Sequence, residues 1–242
     1  KTNAVTFSLI VVSQNYSKAI KYPETAAKLN VSDAFIQLGI IYYKGGRMKR
    51  DLKKAKLNFE KAIEMSNIDG YYYLGIVYYD EKEYAKAKEC YEKASNQNSN
   101  ALTSLGQLYL YGKGVEKDYS KARECYEKAA KLDNQSALLN LAYLYYYGLG
   151  VAIDYLRAKY YNEQCAKPDN SFAFFNLGVI YLCGNGVQQD MKKSLYYFEL
   201  SAKQNNPSAN NILGVLYLEG EGVEKDYSKA KHYFELASYQ NY

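Results

Sequence analysis

The nine residues GVEKDYSKA occur at Gly114–Ala122 and return unchanged at Gly222–Ala230. The two copies lie 108 residues apart, which is three periods of 36. Related versions start at the two intervening period marks, GVAIDYLRA at Gly150 and GVQQDMKKS at Gly186. The stretch is therefore one segment of a longer internal repeat, and self-similarity at such a period indicates a repeat architecture.

A second motif, Leu-Gly followed three residues later by tyrosine, sets the register of the repeat. Its copies are spaced by 36, 31, 36, 36 and 36 residues, and one copy has alanine in place of glycine. The leucines of the six copies are Leu38, Leu74, Leu105, Leu141, Leu177 and Leu213. This register predicts a degenerate N-terminal repeat or cap at 1–30, followed by six units at 31–66, 67–97, 98–133, 134–169, 170–205 and 206–242.

Each unit reads as two helices joined by a turn. In the third unit, Ala101 and Leu105 belong to an apolar series at helical spacing, which predicts a first helix with one apolar face. Gly112 and Gly114 then permit positive φ, so they end that helix and turn the chain. Asp118 is placed where its carboxylate could cap the second helix. The sequence therefore predicts an all-α protein built from antiparallel helix pairs.

Composition narrows the class of protein. Apolar residues make up 48% of the 242 residues, enough for a buried core, and the net charge of +5 does not by itself suggest nucleic acid. Cys90, Cys125, Cys165 and Cys183 show no paired spacing, which favours a reducing, cytoplasmic compartment over a disulfide scaffold. The apolar run Ala4–Val12 is too short to span a bilayer. Because the sequence begins with lysine rather than methionine, we expect it to be a piece of a longer chain.

The combination of Leu-Gly-x-x-Tyr, Gly-x-Gly-Val, aspartate and Lys-Ala at these phases closely resembles the Sel1-like repeat, a longer relative of the tetratricopeptide repeat. The resemblance covers 31–242 well and 1–30 only partly, because Pro23 falls inside a predicted helix. The second unit lacks the glycine turn and looks like an ordinary tetratricopeptide pair. The resemblance implies a right-handed α-solenoid of about seven repeats that acts as a non-catalytic adaptor or scaffold for other proteins.

The tetratricopeptide resemblance also suggests where a partner would bind, since such solenoids use the concave surface lined by their first helices. The positions concerned lie two before the motif leucine, and two and five after it. Fifteen of these eighteen positions are apolar or tyrosine and none is charged, although 24% of the chain is charged, so the depletion is informative. The predicted partner-binding residues, with three at the margin, are Tyr72, Ile76, Tyr79, Gln107, Leu110, Tyr111, Leu139, Tyr143, Tyr146, Tyr147, Phe172, Phe175, Val179 and Leu182.

Two interpretations of these positions stay open. They could form a tyrosine-rich groove for a peptide or helix of another protein, because tyrosine is a common interface anchor. They could equally be buried between neighbouring first helices. The charged residues lie mainly on the second helices, which predicts a solvated convex face. A basic patch stands apart from that face. It could contact an acidic partner or a phosphate-bearing surface, or it could be only a solvated turn. Its residues are Lys44, Arg47, Lys49, Arg50 and Lys53.

Catalysis, cofactors and nucleic acid are disfavoured. His232 is the single histidine, so neither a histidine triad nor a multi-histidine metal site can be assembled. Ser228–Lys231 matches the S-x-x-K of β-lactam-recognising enzymes, but the accompanying SDN and KTG elements are missing. An RNA-reading repeat would need polar and basic inner positions. The remaining alternatives are a scaffold that works through its convex face or ends, and a homo-oligomer formed through terminal repeats.

Overall fold

Helices are the only regular secondary structure in the described part of the chain. A computed structural model describes residues 23, 25, 31–46, 49–167 and 170–238, and these contain helices but no strand. The predicted N-terminal repeat at 1–30 lies almost wholly outside them. The helices are α1 (Ser32–Lys44), α2 (Leu52–Glu64), α3 (Asp69–Asp80), α4 (Tyr84–Ala94), α5 (Ser99–Tyr111), α6 (Tyr119–Ala130), α7 (Gln135–Tyr147), α8 (Tyr155–Cys165), α9 (Ser171–Cys183), α10 (Met191–Ala202), α11 (Pro207–Glu219) and α12 (Tyr227–Ser238).

The helices pack as successive pairs in two compact units, residues 1–117 and 118–242. In the first unit α1 packs on α2 and α3 on α4, and in the second α7 packs on α8, α9 on α10 and α11 on α12. Each of these second helices except the last also contacts the first helix that follows it. This packing confirms the predicted all-α solenoid, in which each repeat buries its apolar face against its neighbours.

Most of the helices begin after a residue whose side chain caps the first turn. The Asn98 side chain accepts a hydrogen bond from the backbone N–H of Ala101 at the start of a first helix. The Asp118 carboxylate accepts one from the backbone N–H of Lys121 at the start of a second helix, which confirms the predicted cap. Such a cap stabilises a helix by about 0.5–2 kcal/mol relative to alanine, because it satisfies an amide that the helix leaves unpaired.

The two turn glycines have distinct physical roles. Gly112 ends α5 in the left-handed region at φ 66°, and Gly114 has φ 67°. The second glycine also permits a close approach to the preceding repeat. A Cβ on Gly150 would lie 2.5 Å from the Cβ of Tyr119, well inside contact distance. The Gly-x-Gly turn is therefore part of the packing between repeats as well as a helix terminator.

The glycine of the Leu-Gly motif lets an aromatic ring of the second helix lie against the first. A Cβ on Gly178 would lie 2.7 Å from the ring of Phe198, which is completely buried. Gly214 has the same relation to Phe234. In the one unit where alanine replaces the glycine, at Ala142, the aromatic position is occupied by the smaller Asn162. The two positions thus vary together within this one chain.

The motif tyrosine joins the two helices of a repeat. Tyr181 stacks on Tyr197 with ring centroids 5.7 Å apart and an interplanar angle of 9°. Lys193, the third residue of the second helix, lies 5.2 Å from the Tyr181 ring centre. The same arrangement of cation, tyrosine and tyrosine recurs in the repeats before and after, with Arg157, Tyr145 and Tyr161, and with Lys229, Tyr217 and Tyr233. The tyrosine of Leu-Gly-x-x-Tyr is therefore structural in these repeats.

Candidate protein-binding surface

In the unit 118–242, three predicted residues form a tyrosine cluster at the end of α7. We use this name for Tyr143, Tyr146 and Tyr147. The ring centroids of Tyr143 and Tyr147 are 4.8 Å apart, and those of Tyr146 and Tyr147 are 4.9 Å apart. Tyr143 is 44% exposed and Tyr147 is 58% exposed. The cluster therefore presents contiguous aromatic surface to solvent.

Tyr146 anchors this cluster to the next repeat. Its hydroxyl accepts a hydrogen bond of 2.7 Å from the side-chain amide of Asn185, and its ring meets that of Tyr155 edge to face at 5.3 Å. Partial burial raises the pKa of Tyr146, so the neutral phenol is favoured. Because both its hydroxyl and its ring are in contact with other residues, Tyr146 has a fixed position, and Tyr147 packs against it.

The position five residues after the motif leucine has the same anchoring role in the unit 1–117. The Tyr43 hydroxyl donates a hydrogen bond of 2.6 Å to Asp80 in the next repeat. Burial and this carboxylate raise the pKa of Tyr43 to about 12. The ammonium of Lys113 donates to the Tyr79 hydroxyl at 2.5 Å, again across a repeat boundary. Tyrosines at this position therefore tie consecutive repeats together.

The predicted residues of α9 are mostly part of the core. Phe175 lies 5.8 Å from Phe198, ring centre to ring centre, and Val179 and Leu182 pack against the same buried cluster. Phe172 is 65% exposed but lies in the first turn of α9. The equivalent position on α7 is eleven residues before Tyr147, or about 16 Å of helix. Phe172 and the tyrosine cluster therefore mark opposite ends of their helices.

The remaining predicted residues are spread between surface and interior. Leu139 packs against the buried cluster around Cys165. In the first unit, Tyr72 contacts the rings of Tyr73 and Tyr91, and Ile76 and Gln107 are half-buried. Leu110 is only 4% exposed, whereas Tyr111 is 59% exposed. The sequence register did not separate the residues that pack between repeats from those that reach solvent.

The basic patch is partly neutralised by its neighbours. Arg50 donates a hydrogen bond of 2.5 Å to Asp80 and lies over the ring of Tyr43 at 4.6 Å. Lys44, Lys49 and Lys53 are exposed, and Arg47 lies outside the described residues. Asp80 therefore offsets one of the cations that made this turn stand out in the sequence.

An exposed apolar patch on the second-helix side escaped the sequence analysis. Ile153, which precedes α8, and Leu156 and Tyr160, which lie four residues apart on α8, are each more than half exposed; we call these three residues the α8 patch. In the neighbouring glycine-turn repeats, the positions equivalent to the first two are polar or charged; they are Lys117, Gln189 and Lys225, and Ser120, Lys192 and Ser228. Comparing the repeats position by position would have revealed this departure.

Reactive chemistry is not prominent in the described residues. Burial raises the pKa of the Cys90 thiol to about 11 and that of Cys165 to about 12, so both thiols stay protonated and unreactive near neutral pH. The exposed His232 stands beside Tyr233, in contact with its ring. Among the described residues no three metal-ligating side chains gather into a possible ion site. In the same residues no helix is long and apolar enough to cross a membrane.

Comparison with known families matches most of the chain to one repeat model. The Sel1 repeat model matches residues 8–31, 32–67, 99–134, 135–164, 171–206 and 207–242. The tetratricopeptide repeat model matches residues 68–101, the unit without the glycine turn. The short turn between α3 and α4 is therefore that of the related, shorter repeat.

Solved structures share the fold over nearly the whole chain. A Sel1 repeat protein from Oxalobacter formigenes is 28% identical and superposes with a TM-score of 0.82 over 93% of this chain and 96% of that one. A protective antigen from uropathogenic Escherichia coli, c5321, is 26% identical with a TM-score of 0.77 over 92% of this chain and 49% of that one.

A curated plant protein is related over a shorter stretch. An ERAD-associated E3 ubiquitin-protein ligase component of Arabidopsis thaliana, HRD3B, is 38% identical over 95 residues, which are 38% of this chain and 15% of that protein. Proteins built from these repeats generally act as non-catalytic scaffolds for protein interactions. The repeat matches and the shared solenoid place this chain in the Sel1 repeat family.

Proposed function

We propose that this chain is a non-catalytic scaffold that binds a segment of another protein on the face of its first helices. The observation that carries the proposal is the tyrosine cluster, whose members Tyr143 and Tyr147 are about half exposed while Tyr146 is fixed beneath them. Rigid aromatic side chains suit this role, because they bury much area and lose little conformational entropy on binding.

The chemistry of this surface indicates the kind of segment it would accept. No charged residue occupies the predicted inner positions of α7, α9 or α11. A partner segment would therefore present apolar or aromatic side chains to the tyrosines and keep its own charges at the edges. Hydrogen bonds to the tyrosine hydroxyls would fix its orientation. A peptide or a short amphipathic helix meets these requirements.

Selection of binders from a displayed peptide library against the whole chain tests this proposal. Peptides enriched on the parent protein should lose binding to Tyr143→Lys/Tyr147→Lys, since both side chains are exposed and the substitutions should leave the fold intact. Tyr196→Lys is a matched control, because Tyr196 is an equally exposed tyrosine on a second helix. The proposal is wrong if the selected peptides bind the parent and the cluster variant alike while circular dichroism shows both to be folded.

The α8 patch supports a second candidate, a scaffold that works through its second-helix side. Three large apolar side chains lie exposed where other repeats carry mostly polar residues, and exposed apolar patches are a feature of interaction sites. Leu156→Lys, at a position where Lys192 stands one repeat later, separates the two candidates. Loss of binding in Leu156→Lys but not in the cluster variant would favour this second surface.

A further inference from the structure

Two members of the tyrosine cluster, Tyr143 and Tyr147, are in contact with each other and are both open to solvent. Their ring centroids are 4.8 Å apart and their ring planes are inclined by 54°. Contacting aromatic rings have centroids about 4.5–7 Å apart, so this pair is at the close end of the range. Tyr143 is 44% exposed and Tyr147 is 58% exposed. Because residues four apart on a helix share a face, the backbone of α7 itself holds the two phenols together.

Neighbouring tyrosine pairs of the same unit do not combine contact with exposure of both rings. Tyr181 stacks on Tyr197 at a centroid distance of 5.7 Å, but Tyr181 is only 8% exposed. Tyr196 is exposed and meets Tyr197 at 5.3 Å, but Tyr197 is half-buried. A reagent in solution that reacts with phenols would therefore reach one ring of these pairs, whereas it would reach both rings of Tyr143 and Tyr147.

Paired, accessible phenols are the substrates of one-electron oxidation. Loss of one electron and one proton from a phenol leaves a phenoxyl radical, whose unpaired electron is shared between the oxygen and the ring carbons ortho to it. Two such radicals that are in contact combine faster than they meet other partners. The chain contains 30 tyrosines and no tryptophan, so its phenols are the aromatic groups on which such an oxidant acts.

We propose that Tyr143 and Tyr147 form an oxidative modification site, at which a haem peroxidase and hydrogen peroxide join the two rings as dityrosine. Each phenol gives up one electron and one proton. The two radicals form a bond between one Cε atom of each ring, and the hydrogen atoms on these carbons move to the oxygens as the rings become aromatic again. One hydrogen peroxide takes up the two electrons and two protons and leaves as two waters. The modification needs no bound protein segment, so it does not rest on the function proposed above.

Tyr146 is the competing phenol, because its ring centroid is 4.9 Å from that of Tyr147. It is half-buried, its hydroxyl accepts a hydrogen bond from Asn185, and its ring meets Tyr155 edge to face. These contacts fix its ring, whereas Tyr143 and Tyr147 have solvent on one side and can turn to bring their Cε atoms together. The link therefore joins Tyr143 to Tyr147, and the product is a covalent staple across the last turn of α7.

Peroxidase treatment of the whole chain tests this assignment. The protein is oxidised at low concentration with a haem peroxidase and hydrogen peroxide, in a Cys183→Ser background, because the exposed thiol of Cys183 would reduce the radicals. Size-exclusion chromatography isolates the monomer, so links between chains are left out. Trypsin then releases residues 132–157 as one peptide, since no lysine or arginine lies between Lys131 and Arg157. Fluorescence of dityrosine and fragmentation of this peptide in a mass spectrometer detect and locate the link.

We expect a peptide lighter by two hydrogen atoms that gives no backbone fragments between positions 143 and 147, because the link keeps both pieces together. Tyr143→Phe and Tyr147→Phe keep the rings but remove a phenol, and each should abolish the link. Tyr196→Phe, at an equally exposed tyrosine, should leave it unchanged. Free tyrosine in a parallel reaction shows that the oxidant is active. A folded monomer that stays unlinked while free tyrosine couples, or a link that persists in Tyr147→Phe or maps to another pair, would overturn the proposal.

Discussion

Replacing Gly178 by alanine tests whether the Leu-Gly motif exists for packing between helices. The new Cβ would lie 2.7 Å from two ring carbons of Phe198, whereas carbon atoms in contact are about 3.5–4.0 Å apart. The ring would have to retreat by about 0.8 Å or more. Phe198 is completely buried and contacts Phe175, so there is little space to receive it.

Two opposing effects set the size of the change. Overpacking a well-packed core costs about 1–3 kcal/mol. Alanine is favoured over glycine in a helix interior by about 1 kcal/mol. We therefore expect Gly178→Ala to lower the free energy of unfolding by about 1 kcal/mol, which for a chain of this size lowers Tm by about 2–4 °C.

Thermal and urea unfolding followed by circular dichroism at 222 nm measure the effect, and a double-mutant cycle isolates its cause. In a Phe198→Leu background the ring is gone, so the same Gly178→Ala substitution should become neutral or stabilising by up to about 1 kcal/mol. The chain contains a natural analogue, since Ala142 is paired with Asn162. If Gly178→Ala stabilises both backgrounds equally, helix propensity alone governs the site and the packing argument is refuted.

Other consequences of the structure are open to direct measurement. Asp190→Ala should lower the free energy of unfolding by about 0.5–2 kcal/mol in urea titrations, because it removes the cap of α10, whereas Asp190→Asn should retain most of it. A thiol reagent should label the exposed Cys183 in the native chain and reach the buried Cys90 and Cys165 only after unfolding; rapid native labelling of either would contradict the packing. Burial raises the pKa of Cys165 to about 12 from its ordinary value of 9.0, so the fold favours the neutral thiol. This contribution to stability is complete below pH 9 and is lost as the pH rises toward 12, so Cys165→Ala should flatten the alkaline fall in Tm while Cys183→Ala should not.

Some tyrosines of this surface anchor one repeat to the next, and others are exposed. This difference decides which of them can be mutated to test binding. Tyr43, Tyr79 and Tyr146 tie consecutive repeats together through their hydroxyls, so replacing them changes stability as well as any binding. Tyr143 and Tyr147 can be replaced with less structural consequence, because about half of each side chain is already in water.

Periodicity allowed most of the fold to be predicted from the sequence. The recurring Leu-Gly-x-x-Tyr and Gly-x-Gly segments gave the helix pairs, because apolar spacing, glycine φ and side-chain caps are local properties of the chain. The cap at Asp118 and the positive φ of Gly112 and Gly114 were all predictable on these grounds. The same residues allowed the family to be predicted, because each repeat contains the same local sequence pattern.

Only the tertiary structure decided which residues of the first-helix face reach solvent. Tyr143 and Val179 occupy the same position in neighbouring repeats, yet Tyr143 is 44% exposed and Val179 packs against the core cluster around Phe198. The position in the repeat is the same, so periodicity by itself does not encode this difference. Phe198 and Phe234 occupy equivalent positions of neighbouring repeats, yet Phe198 is completely buried and Phe234 only partly, because burial is a property of neighbours rather than of a residue.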